Sequence, residues 1–180
     1  MRRLMLLRHA KTENDAPSGR DQDRRLDDRG RKDAAEIGGW MAAHPPFSDS
    51  VLVSTAVRSE QTWDIVSEAM SGVLPRPKVR LMAELYGADP SDLLRIIHAA
   101  APEDPKRLLL VGHNPGLHEL AFALTSSGKA EARSALADNL PTSGLAIIDF
   151  DIDDWDDVAF RRGRIELFVS PKLLKAASGG

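Results

Sequence analysis

Three short segments of this 180-residue sequence carry residue types that suit chemistry on an anion. Arg8-His9 follows the apolar run Leu4 to Leu7. Ser54-Thr55-Ala56-Val57-Arg58 follows Val51 to Val53. Gly112-His113-Asn114-Pro115-Gly116 follows Leu108 to Val111. The planar fork of arginine matches phosphate oxygens. A helix N-terminus adds free backbone N–H groups and a favourable dipole. Asn114 as N-cap with Pro115 at the first helical position would set such a terminus beside His113. Imidazole is among the nucleophiles that form covalent intermediates. Two histidines and two arginines brought to one rim would therefore suit phosphoryl transfer. The arginines would neutralise the charge that repels an attacking group. Plainer readings stand beside this one. A lone histidine is most often a surface or satisfied core residue, which is how His44, His98 and His118 are read. Arg58 alone reads as a solvated helix residue, and Gly112 and Gly116 as turn glycines. On residue types and spacing alone, a phosphate site is one reading among these.

The elements that must position these residues alternate in type. Leu4 to Leu7, Val51 to Val53 and Leu108 to Val111 are short apolar runs without alternation, as expected of strands buried on both faces. Asn14 to Arg25 is polar, with Pro17 and Gly19, and reads as a loop. Helical spacing of apolar residues predicts helices over Asp28 to Ala43, stopped by His44-Pro45-Pro46, and over Ala56 to Met70. Lys78 to Met82 is a weaker strand. Asp89 to Ala100 reads as a helix with Asp89 as N-cap and Pro90 at its first position. Leu117 to Leu124 reads as a helix, and Leu145 to Phe150 and Ile165 to Val169 as strands. The alternation predicts an α/β domain with a mostly parallel central sheet flanked by helices. In such sheets sites gather at the carboxyl ends of strands, where all three segments fall.

Composition narrows the field. The length predicts one domain, taken as 1–174, with a frayed C-terminal tail at 175–180. Hydrophobic residues make up 42% and charged residues 28%, which suits a folded domain rather than a disordered chain. The net charge of -3 provides no basic field for nucleic acid or an anionic membrane. There is no cysteine, which excludes disulfides, thiolate zinc sites and a cysteine nucleophile. Arg8 and His9 interrupt the N-terminal apolar run too early for an export signal, and no run reaches membrane-span length. The expected location is cytoplasmic. The acidic residues from Asp149 to Asp157 depart from a calcium loop, because Asp154 stands where the loop needs glycine; a solvated hairpin loop is expected. No phosphate-cradling or dinucleotide-binding glycine motif is present.

Taken together the segments resemble a known family. Leu6 to Glu13 is similar to the N-terminal signature of the histidine phosphatase superfamily, whose usual form is Arg-His-Gly. Ser54 to Thr62 resembles the family's second block, and Gly112-His113-Asn114-Pro115 the block that carries its second histidine. Arg25-Leu26, Gly30 and Ala34-Ala35 resemble the helix entry after the first block. The segment Ala83 to Ala88 and the short length resemble the small phosphohistidine phosphatase branch. The resemblance spans roughly residues 4 to 150. It implies a phosphoglycerate-mutase-like fold with helices on both faces of the sheet, and a phosphatase that works without a metal or other cofactor. It implies His9 as nucleophile through a phosphohistidine intermediate, and Arg8, Arg58 and His113 as holders of the phosphoryl group, with Asn114 beside them. Glu84 falls where many members keep a general acid. The implied substrate is phosphohistidine on a partner protein in signal transduction, with inorganic phosphate as product. The alternatives are a phosphatase of small phosphate esters, or a non-catalytic phosphate-binding module. Ala10 departs from the usual glycine and adds a methyl group near the pocket.

Overall fold

A computed structural model describes residues 1–73 and 75–179. In chain order the elements are β1 (Arg2–Arg8), α1 (Asp28–Ala43), β2 (Ser50–Ser54), α2 (Val57–Ala69), β3 (Lys78–Met82), α3 (Pro90–His98), β4 (Arg107–Gly112), α4 (Gly116–Leu124), β5 (Thr125–Gly128), α5 (Ala130–Asp138), β6 (Leu145–Phe150), β7 (Gly163–Val169) and α6 (Pro171–Ser178). The strands form one seven-stranded sheet in the order β3-β2-β4-β1-β6-β7-β5. The pairs β1–β4, β2–β4, β2–β3 and β5–β7 are parallel. Only β6 breaks the direction, running antiparallel to both β1 and β7. The sheet is therefore mixed but mostly parallel, as the alternation of elements requires.

The unbroken apolar runs are explained by burial on both faces. Leu4, Leu6, Leu108 and Leu110 point to a core shared with Leu93 and Ile97 of α3, Leu117 and Leu120 of α4 and Leu136 of α5. Met5, Leu7, Leu109 and Val111 point the other way, against Ile37 and Met41 of α1 and Trp63 and Val66 of α2. Successive strand residues serve opposite cores, so the central positions of these strands are apolar on both faces. Caps fix where helices begin. Asp27 accepts from the Gly30 N–H at 2.7 Å, opening α1. Asp89 and Asp92 form a reciprocal capping box at the start of α3.

The structure departs from the sequence reading in three places. β5 and α5 carry no strong pattern: β5 is the polar stretch Thr125 to Gly128, ordered by pairing with β7, and α5 buries only Ala132 and Leu136. The expected frayed tail is helical through Ser178, because Ser170 caps α6 at 3.2 Å and Pro171 opens it; Gly180 lies outside the described residues. The acidic run does lie in a β6–β7 hairpin, but it is not wholly solvated. Asp149 is buried and takes two bonds from Arg3 at 2.7 and 2.8 Å. Trp155 is fully buried and donates from Nε1 to the Pro105 carbonyl at 2.6 Å.

Two glycines of α1 separate close approach from simple flexibility. A Cβ on Gly30 would lie 2.0 Å from the Lys11 carbonyl oxygen, just after the Arg8-His9 turn. A Cβ on exposed Gly39 would meet nothing within 4 Å. Gly30→Ala should therefore destabilise the chain by about 1–3 kcal/mol or more through overpacking. Gly39→Ala should stabilise it by roughly 0.5–1 kcal/mol, by removing a mid-helix glycine. Denaturant unfolding of both variants checks the opposed signs.

Candidate active site

The rim is assembled by strand register. Arg8 at the end of β1 pairs with Gly112 at the end of β4, so the next residues of both strands, His9 and His113, leave the sheet together. The His9 N–H then donates to the Gly112 carbonyl at 3.0 Å, continuing the ladder by one bond. β2 flanks β4 on its other side and ends level with it, Val53 opposite Val111. That brings Ser54 and the start of α2, with Arg58, to the same rim. The turn before β6 closes the remaining flank: the Ser143 N–H lies 3.2 Å from the Arg8 carbonyl and 3.1 Å from that of His9.

His9 is 7% exposed. Its Nδ1 lies 2.8 Å from the Ala10 carbonyl oxygen, which can only accept. Nδ1 must therefore carry the proton, and Nε2 keeps its lone pair. Burial pushes the imidazole far below its ordinary value, to about 3; the Ala10 bond opposes this, and His113, Arg58 and Arg8 add to it. His9 is thus a neutral imidazole at neutral pH, the form a nucleophile needs. The His113 ring sits 5.3 Å from that of His9, tilted by 52°. Its Nε2 is 2.7 Å from the Ser54 hydroxyl and 3.4 Å from that of Ser59. Burial, and then Arg58, lower His113 to about 4, with Asp21 opposing. The Ala56 N–H donates to the Ser54 hydroxyl at 3.3 Å, which leaves the hydroxyl proton to point at Nε2; in that arrangement Nδ1 of His113 is an N–H donor, and it is buried without a partner.

Both arginines also leave donors unmet. Arg8 spends one terminal nitrogen on the Leu140 carbonyl at 3.2 Å, while its Nε is buried and unpartnered. Burial and then Arg58 weaken proton binding by Arg8. Arg58, with its side chain 6% exposed, donates from Nη1 to the Asp21 carbonyl at 2.7 Å and from Nη2 to Asp21 Oδ2 at 2.9 Å. Its Nε is likewise buried and unpartnered. The Ser143 hydroxyl, on a residue with φ of 57°, is the fourth such atom here. Buried polar atoms are nearly always satisfied. Three nitrogen donors without acceptors around one imidazole describe a site that wants an anion.

Other residues fall differently from expectation. α4 begins at Gly116, one residue before the run Leu117 to Leu124 read as helix, and Pro115 takes the cap position rather than the first helical position expected of it. Asn114 nonetheless accepts from the His118 N–H at 3.1 Å, and its amide donates to the Leu140 carbonyl at 2.7 Å. Both ends of Asn114 are thus occupied in holding the rim. Glu84 is exposed on the short turn Ala83–Leu85, and its carboxylate makes no hydrogen bond among the described residues. The Ala10 methyl is fully buried with Leu26 and Ala34, and Thr62 Oγ1 accepts from the Ala10 N–H at 2.9 Å. Sequence reasoning missed Asp21, which lies in the polar loop and carried no periodic signal. Among the described residues, no group of three His, Cys, Asp or Glu side chains is placed to hold a metal ion. Among them, too, no helix is long and apolar enough to cross a membrane.

An α/β sheet whose strand ends bring two histidines and two arginines to one rim has the features of a histidine phosphatase. The family model of the histidine phosphatase superfamily (branch 1) matches residues 4–89. An uncharacterized protein of Mycobacterium leprae is 33% identical over 172 residues, covering 92% of this chain and 100% of that protein. A candidate phosphohistidine phosphatase SixA from Agrobacterium tumefaciens superposes with a TM-score of 0.76 at 32% identity, covering 94% of this chain and 99% of that one. Another, from Nakamurella multipartitia, gives 0.79 at 29% identity, covering 94% and 96%. The chain belongs to the histidine phosphatase superfamily, in its SixA-like branch, and is a phosphatase.

The two depressed histidines set a pH dependence of stability. An unfolded imidazole titrates near 6.5, whereas folded His9 and His113 do so near 3 and 4. Above the unfolded value neither state is protonated, and their contribution to stability is complete. Below it the unfolded chain takes up protons first, so stability falls with pH until the folded values are reached. Denaturant unfolding between about pH 7 and pH 4 should show this loss, and His9→Asn should make its slope shallower. An unchanged slope in the variant would contradict the buried neutral imidazole.

Proposed function

We propose that this phosphatase transfers the phosphoryl group of its substrate to Nε2 of His9 and then to water, and that the substrate is phosphohistidine on a protein. The observation that carries the reading is the neutral imidazole with a free Nε2 lone pair, set among three buried nitrogen donors that lack acceptors. In the first step the Nε2–P bond forms as the bond from phosphorus to the leaving group breaks. The Nε of Arg8, the Nε of Arg58 and Nδ1 of His113 donate to the phosphoryl oxygens as their charge redistributes. In the second step water attacks phosphorus, the bond to His9 breaks, and inorganic phosphate leaves. Catalysis of this kind is positioning and charge stabilisation. Arg8 and Arg58 supply the positive charge, so no metal is required.

Two features support a protein-borne phosphohistidine. Between Glu84 and His113 the chain is taken up by α3 and β4, with no inserted lid, so the rim suits a side chain presented on a partner's surface. The solved relatives named SixA are candidate phosphohistidine phosphatases.

The mechanism predicts a trapped intermediate. Rapid quenching with labelled substrate should show phosphate on His9 that is stable in base and labile in acid, and EDTA should not prevent its formation. His9→Ala should abolish turnover. Near-normal turnover in that variant, or rescue of an EDTA-treated enzyme by Mg²⁺, would overturn the mechanism.

Glu84 offers a test of substrate class. An ester leaves as an alkoxide, which needs a proton from a positioned acid, an effect of about 10² to 10⁴-fold. Phosphohistidine leaves as imidazole, a far better leaving group. On the proposed substrate, Glu84→Gln should slow ester hydrolysis about tenfold or more and phosphohistidine hydrolysis much less. Parallel assays with phosphohistidine proteins and small phosphomonoesters check this. Equal, large losses would point to a small-molecule ester.

A further inference from the structure

The Asp21 side chain accepts three hydrogen bonds beside the rim, and the phosphoryl-transfer scheme above leaves it unused. It lies on the turn Asp21–Asp23, far in sequence from Arg58 and Tyr86, both of which it meets. Its Oδ2 accepts from Tyr86 Oη at 2.6 Å and from Arg58 Nη2 at 2.9 Å. Its Oδ1 accepts from Arg24 Nε at 2.9 Å, and its carbonyl accepts from Arg58 Nη1 at 2.7 Å. Arg24 in turn donates to Thr12 Oγ1 at 2.7 Å and to the Glu13 carbonyl at 3.3 Å, in the segment that follows His9. One carboxylate therefore ties the chain after His9, the start of α2 and the turn before α3.

The geometry of Arg58 gives this arrangement a consequence. A guanidinium has five N–H donors in a rigid plane. Asp21 takes one from each terminal nitrogen, which holds the group end-on. The Nε, buried and without an acceptor, belongs to the side edge of the same plane. The Arg58 guanidinium also stands 5.7 Å from the centre of the Tyr86 ring, and that ring meets His113 edge-on at 5.4 Å. Arg58 can thus meet a phosphoryl group along its Nε edge while Asp21 keeps its other end. Asp21 itself is no proton donor: the Tyr86 bond, with further help from Arg58 and Arg24 and against the effect of burial, holds its carboxyl well below the usual range.

We propose that Asp21, braced by Tyr86 and Arg24, is a positioning residue that fixes Arg58 so that its Nε edge, and not its terminal fork, faces the phosphoryl group. The proposal rests on the reading of this rim as the phosphoryl-transfer site. It replaces the simple expectation of an arginine fork free to clamp the substrate. A long arginine left untethered must be ordered again at each encounter, and misplacement of a charge-stabilising group by about 1 Å can cost roughly 10²-fold in rate.

The test compares the full-length chain with Asp21→Asn, Tyr86→Phe, Arg58→Ala and the double variant Asp21→Asn/Arg58→Ala. Thermal unfolding confirms that each is folded. Steady-state assays with p-nitrophenyl phosphate give kcat and KM, and calorimetry gives the affinity for tungstate. Asp21→Asn should lower kcat by roughly 10 to 100-fold and weaken tungstate binding. Tyr86→Phe should shift both in the same direction by less. In the Arg58→Ala background, Asp21→Asn should add little, because residues that act through one another are not additive. Three results would overturn the proposal: Asp21→Asn with unchanged kcat; tighter tungstate binding with kcat undiminished, which would make Asp21 a stand-in for substrate; or full additivity in the double variant. Should the unmodified chain hydrolyse neither esters nor phosphohistidine proteins, the proposed function fails. The tungstate affinities would still decide the role of Asp21.

Discussion

The parallel pairing of β1 with β4, in the register that sets Arg8 opposite Gly112, is the constraint on which the site depends. It delivers His9 and His113 to one rim, with their rings 5.3 Å apart. Neither histidine could be moved alone. A slip of one residue would send Leu4 and Leu6 to the core built for Met5 and Leu7, exchanging every contact on both faces of the sheet. The apolar cores therefore hold the register, and the register holds the chemistry. The same logic places β2 beside β4 and carries Arg58 in on the first turn of α2.

The electrostatics of the rim run against stability. Two arginines and two imidazoles are brought together, His9 and Arg58 buried and Arg8 and His113 half-buried, and the carboxylate partner Asp21 engages only the terminal nitrogens of Arg58. Burial keeps both histidines neutral, which relieves part of the repulsion and leaves His9 Nε2 with its lone pair. What remains is a set of unmet N–H donors whose desolvation cost an anion can offset. A folded chain normally avoids such groups. Three of them gather where a phosphoryl group would lie, while the central strands β1 and β4 beneath are packed with apolar side chains on both sides.

Backbone carbonyls and hydroxyls do much of the positioning. Ala10 fixes the tautomer of His9. Ser54 orients His113. Thr62 accepts from the Ala10 N–H and donates to the Arg58 carbonyl at 2.7 Å, joining the chain after His9 to α2. The Leu140 carbonyl takes bonds from both Arg8 and Asn114. These groups contact the side chains proposed to react, or the backbone beside them, so their substitution would disturb geometry without removing a charge.

Much of the fold was legible in the sequence, because its signals are local. The bounds of α1, β3 and β6 match the readings from periodicity, and Asp89 caps α3 as its spacing predicted. The elements that were missed lack local signals: β5 is polar and exists through its pairing with β7, and α5 buries little. The same division holds at the site. His9, Arg8, Arg58 and His113 stand out because each lies at or just beyond the end of a buried apolar run, and a strand buried on both faces is recognisable from such an unbroken run. Asn114 and Glu84 were marked by position, but tertiary contacts gave Asn114 a bracing role and left Glu84 exposed. Asp21 could not be singled out at all, since a carboxylate in a polar loop looks like any solvated residue. By itself the sequence determined which residue types stand at the strand ends. Only the tertiary structure decided which nitrogen of each is spent on a neighbour and which is left buried without one. That depends on groups distant in the chain, such as the Leu140 carbonyl and the Asp21 carboxylate, which no periodicity records.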